Sequence, residues 1–227
     1  MEVVAIAPSH TPSLRERKKR RTREEISDVA TRLFERHGFE QVTLSQIAAA
    51  AEVSVKTIFN HFGSKEDLYF DRAEEFHQGV VATVRDRPPG TTVLQALRGL
   101  LTDNLVPFPG TGWTPLEDAG RLERFKSFLD AQDRSPALRA RRLTLGEELA
   151  DLLAGALAEA LGRDRDGADI ACLAAMLVAV LQVRERTLRA VVRSGLSPER
   201  VRAAVLAVVD EAFARLEAAF AGLDRPA

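Results

Sequence analysis

The stretch Thr43–Phe62, TLSQIAAAAEVSVKTIFNHF, decides how this chain is read. It divides into two short helices joined by a tight turn. Thr43 has the character of an N-cap, and Gln46 three residues on completes a capping-box pattern. Leu44, Ile47 and Ala48 form the apolar stripe of the first helix, and the run Ala48–Ala51 lets a neighbouring backbone come close. Ser54 then caps a second helix. Its buried positions are Val53, Ile58 and Phe62, while Val55, Lys56, Thr57, Asn60 and His61 occupy the other face. A short helix that buries one stripe and offers Lys, Thr and Asn on the other suits the DNA major groove. The reading is a helix-turn-helix.

Outward from this motif, RTREEISDVATRLFERHGFEQV precedes it and GSKEDLYF follows it. In that order and spacing, residues 20–70 resemble the DNA-binding domain of the TetR family of bacterial transcriptional repressors. The resemblance implies a homodimer on a palindromic double-stranded DNA operator, released when a small effector tilts the helix that follows the motif. It also implies roles for individual residues. Thr43 anchors a phosphate and Ser45 reaches a base edge, while Val55, Lys56 and Thr57 carry base readout. Asn60 and His61 close the recognition helix, His61 and Lys65 facing phosphates. Phe59 stands where the family usually has tyrosine, so the ring can pack on sugar but has no hydroxyl for phosphate. Lysine donates to guanine O6 or N7, and valine and threonine methyls meet thymine methyl.

The chain has 227 residues, enough for one large or two modest domains, with a formal net charge of −1. No overall basic character points to nucleic acid, but the local distribution does. Arg15, Arg17, Lys18, Lys19, Arg20, Arg21 and Arg23 face only Glu16 within nine residues. Residues 1–20 read as a flexible basic arm, either a solvated tail or a phosphate-tracking segment, with Arg20 and Arg21 as its DNA contacts. The first helix is expected from about Thr22, with Glu25 as its capping-box partner, to His37, ended by Gly38. A helix-turn-helix domain then spans 21–66, and a helical effector-binding and dimerisation domain spans 67–227.

The rest of the chain reads as helices, with no strand signal. Ser64 opens a long helix to about Asp86, and further helices cover 92–106, 115–131, 136–161, 168–194 and 198–220. The fold class is therefore all-α with about nine helices. Leu101, Asn104, Trp113, Phe125, Phe128, Leu149, Met176 and Gln182 are candidates to line a pocket for a hydrophobic effector, although each also fits plain core. Ile170–Val183 is apolar all round and must be covered on every side. The expected dimer surface is Leu177 and Leu181 with Val201, Val205, Val208, Val209, Ala212 and Leu216 of the last helix, in a four-helix bundle across a two-fold axis.

The single cysteine, Cys172, excludes an internal disulfide and reads as a buried thiol. His37 and His77 stand apart from other ligands, so neither a metal nor a cofactor is expected. No stretch approaches a membrane span and the first ten residues lack a secretion pattern, so a cytoplasmic protein is expected. No nucleophile elbow, phosphate loop or paired-carboxylate constellation supports an enzyme. The other alternative is a constitutive DNA-binding regulator with no effector.

Overall fold

The computed structural model describes residues 13–103 and 119–223, and every regular element among them is helical. The chain divides into two compact units at Asp71/Arg72.

The first unit holds α1 (Leu14–His37), α2 (Leu44–Ala50), α3 (Val55–His61) and α4 (Lys65–Tyr69). Side-chain caps start α2, α3 and α4. Thr43 Oγ1 accepts from the Gln46 amide while Gln46 reaches back to the Thr43 amide at 2.8 Å, closing the capping box. Ser54 Oγ accepts from Thr57 N at 3.0 Å, and Ser64 Oγ from Asp67 N at 2.9 Å. Between α2 and α3 the chain turns through Glu52, whose φ of 54° is the one left-handed non-glycine among the described residues. That conformation costs an L-residue about 1–2 kcal/mol. The tight turn brings Val53 N onto Ala48 O at 3.0 Å and fixes the angle between the two helices.

The core of this unit is Ile26, Ala30, Ile47, Ile58, Phe62 and Leu68, all at most 3% exposed. An aromatic cluster closes one end, with Phe34, Phe39 and Tyr69 ring centroids 5.3–5.6 Å apart.

Two expectations are corrected here. The first helix starts at Leu14, not Thr22, and its capping box is Ser13 with Glu16. Residues 14–20 are therefore helix and not a flexible arm. The long helix expected over 64–86 is broken: α4 ends at Tyr69, residues 70–72 form a turn, and α5 begins at Ala73. That turn is held by α1, since Arg23 Nη2 donates to Asp71 O at 3.0 Å and Ser27 donates to the Asp71 carboxylate.

The second unit holds α5 (Ala73–Arg85), α6 (Val93–Asp103), α7 (Ala119–Arg134), α8 (Pro136–Leu161), α9 (Ala168–Arg193) and α10 (Pro198–Ala219). Ten helices thus lie among the described residues. Helix α9 is the central element, packed on α8 and α10 with α7 beside it. Its main core includes Leu97, Leu153, Leu157, Leu173, Val209 and Phe213, and a smaller cluster joins Leu129, Leu188, Val201 and Val205.

Arg184 sits on α9 between the residues of these two clusters and is 1% exposed. Burial lowers its pKa to about 10, partly offset by Glu185. Arg189, also buried, ties α9 to α7. It donates to Leu129 O at 3.2 Å and Asp133 Oδ1 at 3.0 Å, and it also bonds Gln132 and Glu185. No apolar period in the sequence signals these buried arginines.

The expected dimer surface is also corrected. Leu177, Val201, Val205, Val209 and Leu216 are each at most 4% exposed inside their own chain, and Leu181, Val208 and Ala212 are half-buried. Leu177, Val209 and Leu216 belong to the main core, with Leu181 and Ala212 packed against it, and Val201 and Val205 belong to the smaller cluster. The opposite side of α9 is the uncovered one, where Cys172, Ala175, Met176, Ala179 and Val183 are exposed, so Cys172 is not a buried thiol.

Candidate nucleic-acid interface

The recognition surface is built on Ile58. With Ile58 fully buried, the helical period turns Lys56, Phe59 and Asn60 outward, and all three are exposed. Phe59 is 52% exposed, a large apolar ring held in solvent beside a lysine and an asparagine. Val55, Thr57 and His61 are half-buried at the edges of this face. Thr57 Oγ1 lies 2.8 Å from Ser54 Oγ, so its hydroxyl is engaged by the cap while its methyl remains for apolar contact. On α2, Thr43 and Ser45 are both exposed.

His61 is held by its neighbours. Arg23 donates to its carbonyl oxygen and lays its guanidinium over the Phe62 ring, 4.2 Å from the centroid. Burial, then the charges of Lys19 and Arg23, lower the imidazole's pKa. The shift favours the neutral ring over the imidazolium. Its Nδ1 is buried without a hydrogen-bond partner. A ring protonated on Nε2 presents a donor and not a cation to an approaching phosphate.

Lys65, to which the resemblance gives a phosphate contact, is engaged within the first unit. Its Nζ donates to Phe39 O at 3.0 Å and Val42 O at 3.1 Å and stands 4.1 Å from the centroid of the Phe39 ring. It satisfies two loop carbonyls that no helix caps. Lys65→Met is expected to destabilise the first unit by about 1–3 kcal/mol, since both carbonyls lose a charged donor. The salt dependence of DNA binding, measured by fluorescence anisotropy, should not change. A shallower salt slope with unchanged stability would return Lys65 to the phosphate contacts.

Arg20 and Arg21 are exposed and pair along α1 with Glu24 at 3.7 Å and Glu25 at 2.8 Å. Arg23, which no motif singled out, is the residue that joins α1 to the recognition helix; its separation of 38 residues from His61 hides it from any local pattern.

The candidate pocket residues whose side chains are described are not gathered together. Leu101 and Leu149 belong to the main core, and Phe128 packs on the smaller cluster. Met176 is 42% exposed and Gln182 is exposed, its amide against Gly146. Asn104, Trp113 and the Phe125 side chain lie outside the described residues. A groove of about 450 Å³ does exist at the α5–α6 corner, lined by Thr83, Asp86, Arg87, Thr91 and Gln95 among others, and it contains none of the expected residues. Among the described residues no cluster of His, Cys, Asp and Glu could hold a metal ion. No described helix is long and apolar enough to cross a membrane.

Residues 26–71 match the family model for bacterial regulatory proteins of the tetR family. The HTH-type transcriptional regulator TcmR of Streptomyces glaucescens is 33% identical over 155 residues, covering 68% of this chain and 67% of that protein. The chain belongs to the tetR family of bacterial regulatory proteins. As a member of that family it is a DNA-binding transcriptional regulator and not an enzyme. The repressor AcnR of Corynebacterium efficiens is 34% identical over 82 residues, 36% of this chain and 42% of that one. The tetR-family fold extends over both units. A SmeT–triclosan complex superposes with a TM-score of 0.53 at 23% identity, covering 86% of this chain and 91% of that one.

Proposed function

We propose that this regulator is a homodimeric repressor that reads a palindromic operator through α3 and is released by a small effector bound in its second unit. The observation that carries the reading is the outward face of α3, where Lys56, Phe59 and Asn60 stand exposed over a buried Ile58. A solvated helix face has no need of a half-exposed phenylalanine, whereas a groove-entering helix uses it against sugar and methyl groups. One such helix makes too few base contacts to choose a site in a genome, so two must be held about one DNA turn apart, ~34–36 Å.

The subunit interface in this reading is the uncovered side of α9 and α10. Ala175, Met176, Ala179 and Val183 recur along α9 at helical spacing, and Ala203, Ala207 and Ala214 do the same along α10. Small side chains there let four helices approach closely across the two-fold. An effector would act as a population shift, its strength set by its affinity difference between the DNA-competent and released states. The separation of Leu101, Phe128, Leu149, Met176 and Gln182 supports the alternative of a constitutive regulator; a thermal-shift panel of apolar compounds separates the two, since only an effector-responsive protein gains stability from a ligand.

Lys56→Ala tests the readout. Operator affinity should fall by about 1–3 kcal/mol per lost base contact, with base preference relaxed at one symmetric pair of positions. Selection of bound duplexes from a random pool measures this. A uniform loss on all sequences would make Lys56 a phosphate contact.

A further inference from the structure

The helical extension of α1 carries a stripe that the first unit does not use. Along one face run Arg15, Lys19, Arg23, Ile26 and Ala30, spaced four, four, three and four residues apart, one continuous line on the helix. Ile26 and Ala30 are 0% exposed and face the core of the unit. The same face continues N-terminally past the edge of that core and changes its chemistry there. Arg23 is the transition: it reaches the carbonyl of His61 and the ring of Phe62, at the end of the recognition helix. One and two turns further out, about 6 and 12 Å along the axis, are Lys19 and Arg15, both exposed. This line therefore points to the side on which α3 ends, and the Lys19 charge already acts on His61.

Carboxylates divide the basic block. Glu24 and Glu25 lie on the opposite side of α1 and pair with Arg20 and Arg21. Glu16 is occupied by the Ser13 capping box. Among the described residues no carboxylate forms an ion pair with Arg15, Lys19 or Arg23. Two exposed cations in line with a core stripe, beside the end of a groove-entering helix, suit a polyanion whose charges recur every ~3.4 Å along each strand.

Resting on the DNA-binding reading above, we propose that Arg15 and Lys19 form a phosphate clamp on the DNA backbone flanking the groove that α3 enters. The clamp is held rigid by α1, and Arg20 and Arg21 are peripheral to it. A helix already ordered before binding loses little conformational freedom on contact, unlike a flexible arm.

Salt titrations of the full-length protein separate the two sets of cations. The probes are a duplex selected from a random pool by the wild-type protein and a scrambled duplex of the same composition. Each phosphate contact contributes about −0.9 to the slope of log K against log salt. Arg15→Ala/Lys19→Ala, two cations in each of two subunits, should make the slope shallower by about 3–4 on both duplexes while leaving helicity by circular dichroism unchanged. Arg20→Ala/Arg21→Ala should change it at most half as much. An unchanged slope in the first variant, or equal changes in the two, overturns the clamp. A wild type that does not prefer the selected duplex overturns the DNA-readout reading instead, and the scrambled duplex still reports on the clamp because phosphate contacts carry no sequence information.

Discussion

Val209→Glu is expected to unfold the second unit and not merely to separate subunits. Val209 is fully buried in the cluster that also holds Phe213, Leu216, Leu177 and Val180, so the carboxylate is cut off from water. An uncompensated buried charge costs roughly 3–5 kcal/mol, and the group neutralises instead of ionising. Domain stability is only about 5–15 kcal/mol, so a large part of it disappears. Circular dichroism melts should show the transition of the second unit shifted down by many degrees or lost, at any protein concentration. A variant that melts like wild type but sediments as a monomer would place the Val209 stripe between subunits after all.

Met176→Glu and Ala179→Glu are expected to do the converse. Both positions are exposed on α9, so the folded protomer keeps a hydrated carboxylate at little cost. If the uncovered side of α9 meets its own copy, each dimer buries two such charges close together, and like charges without partners oppose association. A penalty of about 3 kcal/mol corresponds to at least a hundredfold weaker dimer. Sedimentation at matched concentration should show monomers, and operator affinity should fall with the dimer while unspecific binding through the α1 cations persists. A variant that remains dimeric with operator affinity intact would move the interface to another surface. The three substitutions together distinguish the faces of one helix pair: the core substitution lowers the melt, the outer ones lower the association constant.

The helix-turn-helix was legible because its caps and its buried stripe are set by residues close together in the chain. The cap pairs Thr43–Gln46, Ser54–Thr57 and Ser64–Asp67 are local hydrogen bonds, and the period of Ile47, Ala48, Ile58 and Phe62 names the buried face without reference to the rest of the chain. The same locality explains the error at α1. Ser13–Glu16 and Thr22–Glu25 match one capping pattern equally well, and the basic residues between them favour neither. What extends the helix through them includes the i,i+4 pairs Arg20–Glu24 and Arg21–Glu25 and the anchoring of Arg23 to residues 38 and 48 positions away.

By itself, then, the sequence determined the all-helical class, the two-helix reading head and the residues that turn outward from it, because periodicity and capping are short-range. The tertiary structure alone decided where long side chains end and which of two apolar faces is core. Lys65 could reach solvent or the loop carbonyls of Phe39 and Val42, and only their placement settles the choice. Helix α9 is apolar on both sides, so no period distinguishes the face that meets α8 and α10 from the one left uncovered. That distinction is made by packing between residues far apart in the chain, which burial requires but local sequence does not record.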